Sequence, residues 1–388
     1  QVAEKYVRIR RICSTQEIFG LLGDRLEEGG CACIIANTVK KAQELYAECS
    51  RQMEGYHVIL YHAQFTMPDR MAKEQLVLEK MGKTSGEGDR KRLILIGTQV
   101  LEQSLDYDAD IMVTQLCPAD LLLQRIGRLH RHKRVRPRRL QMPECIILQE
   151  EAALCDSGTE TIYGAYHLMR TDKVLADTVE IPKEIPDLVQ RVYDEEDDLG
   201  LEGEQYRNAV AKYEEKKQQK ERRADKYLMM EPKPKKGIDD LLVNPEKSDE
   251  KLSEACVRDS ESSIEVLLMK KSQDGRILFV DEDPLTSPGI LAADVPDFEQ
   301  AHRISRQRLK LPYIFSTRYM IDGTIRELEN LNARELEQWQ RSSWIRGELV
   351  LLLDEKNQAE LNGYRLSYSY DKGLEYERKE DKNAGEGV

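Results

Sequence analysis

The chain has 388 residues and a formal net charge of −12, from 71 acidic and 59 basic side chains, and 40% of it is hydrophobic. That apolar share excludes wholesale disorder, and the length predicts two or three domains. No apolar run approaches the roughly 18 to 20 residues of a membrane span, so a soluble protein is expected.

Gln1 to Arg11 carries charge throughout and lacks an apolar core, so a secretory leader is not expected. The cysteines include no C-x-x-C pair, which predicts reduced, mostly buried thiols in a cytoplasm rather than disulfides or a zinc site. The first 150 residues alternate short apolar runs with helical patterns, the mark of βα units and a parallel sheet. Strands are predicted at Cys31–Ala36, His57–Tyr61, Arg92–Ile96, Ile111–Leu116 and Cys145–Leu148. Helices are predicted from Val39 to about Ser50, from Asp69 to Met81 after Pro68, and from Ala119 to His130. Ligands of such sheets bind where strands open at their carboxyl ends, here after Ala36, Tyr61, Ile96 and Leu116.

Near residue 180 the composition shifts, with Pro182, Pro186 and the acidic run Asp194–Asp198. Glu202–Leu228 interleaves Glu with Lys and Arg and reads as a long exposed connecting helix stopped by Pro232, Pro234 and Gly237. A link over Asp239–Glu261 is expected next. Strands at Ser263–Met269 and Arg276–Val280 then flank the turn Gln273-Asp274-Gly275, followed by a helix over Thr324–Trp339 and a strand over Glu348–Leu353. The fold expected is α/β: a parallel-sheet domain over residues 1–180, a linker-helix region over 181–245, and a smaller mixed α+β accessory domain over 246–388.

An acidic total can conceal a basic stripe. From Gln124 to Arg139 every charged side chain is basic: Arg125, Arg128, Arg131, Lys133, Arg134, Arg136, Arg138 and Arg139, with His130 and His132 among them. Such a run is ordinarily a solvated surface, but this one begins inside an apolar helix. Placed at i, i+3 on one helix, Arg128 and Arg131 would present two planar cations from one face, with Gly127 allowing close backbone approach. Paired guanidiniums suit a phosphoryl group whose charge spreads over several oxygens. The histidines lack companion carboxylates at metal-ligand spacing, so no metal site is expected there.

Two motifs in order, Gly97–Asp106 leaving a strand and Gln124–Arg131 on the helix after the next strand, resemble the fifth and sixth motifs of superfamily-two helicases in their second RecA-like domain. More narrowly, TQVLEQSLDYDAD followed by DLLLQRIGRLHRH resembles the helicase-nuclease of type I CRISPR systems. Asn37-Thr38-Val39 and Tyr61–Phe65 fit further segments of that family, and weaker similarity runs through IPKEIPDLVQRVYD to LNGYRLSYSYDKGL.

The resemblance implies that Thr98 and Gln99 contact a phosphate of a single strand, that Asn37, Thr38 and His62 line its path, and that Arg70 adds a phosphate contact. It places Asp106, Gln103 and Gly127 near the nucleotide and Gln124 near its phosphates, with Arg128 and Arg131 reaching the γ-phosphate across a cleft. Gln64 departs from the family, where many relatives carry arginine. Plainer roles compete: a helix N-cap for Asn37 or Thr38, a satisfied loop histidine for His62, core packing for Phe65.

No G-x-x-x-x-G-K-[ST] loop occurs; Met81-Gly82-Lys83-Thr84-Ser85 imitates half of one, with Val77 where the first glycine belongs. Neither an Asp-Glu-x-His or Asp-Glu-Ala-Asp string nor a His-Asp dipeptide is present. The expectation is therefore the C-terminal half of an ATP-dependent single-stranded DNA translocase, moving 3′ to 5′ by resemblance. Its N-terminal helicase/nuclease half would complete the site for ATP and Mg2+ and bring the nuclease, and an RNA-guided CRISPR surveillance complex would be its partner. The alternatives are half of another RNA or DNA helicase, a restriction translocase, or a non-catalytic scaffold.

Overall fold

The computed structural model of the protein describes residues 4–102, 105–149, 153–225 and 263–379. Gln103, the link expected over Asp239–Glu261 and the helix stop expected at Pro232, Pro234 and Gly237 lie outside the described residues.

The expected strands form, as β2 (Cys31–Ile35), β3 (His57–Tyr61), β4 (Leu93–Gly97), β5 (Ile111–Gln115) and β6 (Glu144–Leu148). β2, β4, β5 and β6 are buried along their whole length, which is why each reads as a continuous apolar run. Two strands were not expected: β1 (Lys5–Ile12) and β7 (Thr178–Ile181) extend the sheet to the order β3-β4-β2-β5-β6-β1-β7. β7 runs antiparallel to β1 and the other pairings are parallel. β1 escapes an apolar-run criterion because Val7, Ile9 and Ile12 face inward while Arg8 and Arg10 are exposed.

Helices cover both faces. α1 (Thr15–Arg25) and α2 (Val39–Gln52) pack Ile18, Phe19, Leu22, Ala42 and Leu45 against Ile34, Ile94 and Val113. On the other face α3 (Met67–Met81), α4 (Ala119–Ile126), α6 (Ala165–Val174) and α7 (Ile185–Tyr193) cover Cys33, Leu95 and Met112. Between α4 and α6 lies the short α5 (Ser157–Tyr163). The long helix α8 (Glu204–Asp225) is less exposed at its start than its composition implies, because Tyr206, Ala209 and Tyr213 recur at helical spacing and pack on Tyr166.

In the second half β8 (Glu265–Lys271) pairs with β9 (Arg276–Leu278), realising the expected hairpin, and with β11 (Arg308–Lys310) and β12 (Val350–Leu353). β10 (Ile290–Leu291) extends this sheet, with α9 (Phe298–Ser305) and α10 (Ile321–Glu335) packed about it. The expected helix over Thr324–Trp339 thus begins earlier and gives way to a 3-10 turn at Glu337. A three-stranded sheet, β13 (Gln358–Leu361), β14 (Tyr364–Ser369) and β15 (Gly373–Arg378), closes the described chain and was not expected. The α/β architecture is as the sequence implies, but one apolar cluster runs through both halves: Leu60 and Phe65 share it with Leu268, Leu351, Leu366 and Leu374.

Candidate functional site

β4 ends at Gly97 and Thr98 leads into a single 3-10 turn at Gln99–Leu101, so the loop expected to carry chemistry leaves the carboxyl edge of the sheet. Beneath it lies a side chain that sequence reading left inside the basic run. Arg125, fully buried on α4, donates from Nε to Glu102 at 2.8 Å, from Nη1 to Thr114 Oγ1 at 2.6 Å and from Nη2 to Asn37 Oδ1 at 2.9 Å. One guanidinium thus joins the loops after β2 and β4 to strand β5. Burial pushes the Glu102 carboxyl up, and the Arg125 charge opposes that shift.

Asn37 is spent on this network, with Nδ2 donating to Leu116 O at 2.7 Å and to Thr159 Oγ1 at 3.0 Å, and its backbone N–H donating to Gln115. Gln99 donates to Asn37 O at 2.7 Å and to the Tyr163 hydroxyl at 3.0 Å. Thr38, not Asn37, is the N-cap of α2, its hydroxyl accepting from Lys41 N at 3.1 Å.

The helix expected to reach His130 stops at Ile126, so Arg128 and Arg131 do not share a helical face. Beyond it the backbone is captured by the neighbouring segment: Ala109 N donates to Arg128 O and His130 N to Ala109 O, each at 3.0 Å. Lys5 Nζ also donates to Ile126 O at 3.1 Å, covering a carbonyl at the helix end. Gly127 contributes in an unexpected way, for a Cβ there would meet Gln124 O at 3.0 Å, so it serves the tight helix exit. Gln124 is exposed.

The two arginines still come to one edge. Arg128, half-buried, donates to Glu102 O at 2.7 Å with its guanidinium 5.9 Å from the Tyr107 ring centre, and exposed Arg131 donates from Nε to Asp106 Oδ1 at 2.6 Å. Burial, and then the Arg131 charge, lower the Arg128 affinity for its proton. The hydrogen bond from Arg131 holds the Asp106 carboxyl below its usual range. Two cations crowd here with one exposed carboxylate between them.

The rest of the basic run is largely neutralised internally, so it is not the open stripe its composition implies. Asp108 and Asp110, both buried, take Arg134 at 2.6 Å, Arg90 at 2.8 Å and Arg136. Burial pushes the Asp110 carboxyl up, but Arg90 and Arg136 outweigh it and hold the group low. Arg139 meets Glu27 at 3.0 Å, and also Asp24. The counter-charges sit in the alternating Asp106-Tyr107-Asp108-Ala109-Asp110 stretch, a spacing that pairs with the basic run only once the chain is folded.

His62 is not on an open strand path. It is fully buried, with Nε2 at 3.0 Å from Lys372 O, Nδ1 accepting from Gln64 N at 3.1 Å and its ring stacked on Phe65 at 4.4 Å. The turn between β14 and β15 covers it, and burial pushes its imidazole down to about 3. Arg70 is half-buried beside Tyr61, and its Nε has no hydrogen-bond partner. Thr98 is buried at the strand end.

A cleft of about 1830 Å³ opens beside these loops, between α2, α5, α8 and the accessory half. Of the expected strand contacts it brings together Asn37, Thr38 and Gln99, with Gln64, and leaves out His62, Arg70 and Thr98. Lys40, Lys216 and Arg318, all exposed, come to it from three separate elements. Arg318 and Lys216 lie outside the motifs, and no local signal in the sequence could have joined them.

The fold and its two loops define a second RecA-like helicase domain with an attached accessory domain. Residues 28–134 match the family described as CRISPR-associated nuclease/helicase Cas3, C-terminal, and residues 258–374 match the Cas3 C-terminal domain. A CRISPR-associated nuclease/helicase Cas3 of Streptococcus thermophilus is 37% identical over 98% of this chain, which spans 41% of that relative's length. The Cas3 endonuclease/helicase of Escherichia coli K12 is 46% identical over 31% of this chain and 14% of its own length. The structure of T. fusca Cas3 with ADP superposes at a TM-score of 0.77 with 22% identity, over 96% of this chain and 43% of that one. The chain belongs to the Cas3 family and matches the C-terminal part of its members.

Proposed function

We propose that this chain is the arginine-donating half of an ATP-driven single-stranded DNA translocase acting in type I CRISPR interference. The observation carrying this reading is the juxtaposition of Arg128 and Arg131 beside the segment that leads into β5, with the Arg128 guanidinium reaching Glu102 O in the loop after β4 and the buried Arg125 holding the Glu102 carboxylate. An exposed ion pair such as Arg131–Asp106 stabilises by only about 0 to 1 kcal/mol, so a nucleotide phosphate displaces the carboxylate at little cost. The donor set fits ATP: two guanidiniums in reach of solvent for the phosphates and Asp106 beside them for the ribose. The carboxylates that hold Mg2+ would come from the companion half. As the cleft between the halves closes, Arg128 and Arg131 stabilise charge developing at the γ-phosphate, and the loops at Thr38 and Gln99 shift along the strand.

The cleft's cations bind phosphates without regard to sequence. A surveillance-complex partner is supported by a solved structure titled CRISPR RNA-guided surveillance complex, pre-nicking, whose matching chain superposes at a TM-score of 0.70 with 23% identity over 95% of this chain and 44% of its own. In the complete enzyme, Arg128→Ala and Arg131→Ala are expected to lower strand-stimulated ATP hydrolysis by about a thousandfold or more, with circular dichroism unchanged. Hydrolysis at the unmutated rate would leave a non-catalytic scaffold as the reading. Translocation on DNA but not RNA separates the DNA motor from an RNA helicase.

A further inference from the structure

Facing the helicase loops across the cleft is a short turn of the accessory half. Tyr313 begins a 3-10 turn over Tyr313–Ser316 behind Pro312. The turn is fastened from behind: Phe315 is fully buried between Tyr364 and Tyr376, and Ser316 Oγ accepts from Ile264 N at 3.0 Å. Its first residue is left out of that packing. Tyr313 is 52% exposed and lines the cleft, and among the described residues its ring meets no other ring and its hydroxyl makes no hydrogen bond. A large ring held in water on a rigid turn is an uncompensated apolar cost, and it is the arrangement that a flat apolar ligand relieves.

The surroundings select the ligand. Lys40, Lys216 and Arg318 are exposed, make no ion pair among the described residues, and line the same cleft as Tyr313. Two acids also line it: Asp156 is engaged by Gln115 and Thr159, while Glu44 is exposed. Cations from three elements together with one unpartnered ring form the combination that holds single strands, charge tracking the phosphates and an aromatic face taking a base.

We propose that Tyr313 is a base-stacking platform for the single strand in this cleft, a contact made by the accessory half and outside the helicase motifs. The inference rests on the strand-translocase reading above. It adds a contact to the base where the lysines and Arg318 address only phosphates, so the two are separable by a strand that has no bases.

The test is fluorescence anisotropy of the complete enzyme with labelled oligo-dT and with an abasic deoxyribose-phosphate strand of equal length. Tyr313→Ala is expected to weaken oligo-dT binding by about fivefold to a hundredfold and to leave abasic binding unchanged, with Tyr313→Phe restoring oligo-dT affinity. Lys40→Gln with Arg318→Gln is expected to weaken both strands and to reduce the salt dependence of binding. If Tyr313→Ala left oligo-dT affinity unaltered while the cation variant weakened it, the platform would be overturned and the strand cleft would stand. Equal losses on both strands in Tyr313→Ala would also overturn it, because the contact would not be to a base. If neither variant altered binding, the cleft would not be the strand path and both readings would fall.

Discussion

Arg125 and Arg131 stand six positions apart in one basic run, yet the fold uses them in opposite ways. Arg125 is fully buried and its donors meet Glu102, Thr114 and Asn37, whereas Arg131 is exposed and holds only the exposed Asp106 and, through its backbone, Asp108. Removing one partner of a buried pair strands the other charge. Arg125→Ala is therefore expected to cost about 3 to 5 kcal/mol in urea unfolding. The exposed Arg131→Ala should shift the same curve by less than about 1 kcal/mol. Equal losses in the two variants would contradict the division of labour. The distinction was legible in part: Leu122, Arg125 and Ile126 fall at i, i+3 and i+4, the inward stripe of an amphipathic helix. The partners were not legible, since Glu102 and Asn37 come from distant loops.

Among elements, β14, β15 and the turn between them reach into the other half. Gln43 Nε2 donates to Lys372 O and Leu374 O, both at 2.9 Å, Leu374 N donates to Gln64 O at 2.9 Å, and the Tyr368 hydroxyl accepts from Thr66 N at 3.0 Å. Gly373 sits at φ +71°, and a Cβ there would lie 2.6 Å from Gln64 O and 2.7 Å from His62 Cε1. Gly373→Ala is thus expected to lower the melting temperature by several degrees, the size of shift that about 1 to 2 kcal/mol produces. An unshifted melting curve would show that the turn yields without loss. The sheet holding this turn was missed because its strands carry apolar residues on one face only and polar ones between them; β1 was missed for the same alternation. Where strands are buried on both faces, as in β2, β4 and β5, the apolar run alone located them. The end of α4 was misplaced because its stop is set by the backbone of Ala109, which no local periodicity encodes.

At the scale of the whole molecule, two histidines are held neutral inside the fold. Burial pushes His62 down to about 3, and burial followed by the Arg136 charge pushes His130 down to about 4, from 6.5 for the free side chain. Both folded values are depressed. The unfolded chain therefore takes up protons that the folded one refuses, and stability present above pH 6.5 is lost as the pH falls toward 4. Urea midpoints are expected to drop between pH 7.5 and 5, and to drop less in His62→Gln; an equal drop would remove His62 from the account.

One apolar core passes from the seven-stranded sheet into the accessory half without a break, from Ile94 and Leu60 to Leu366 and Leu374. Close-packed interiors barely compress. A displacement at the arginine edge is accordingly transmitted through that core toward Tyr313 as through a single casting, and the two halves are expected to move as one body.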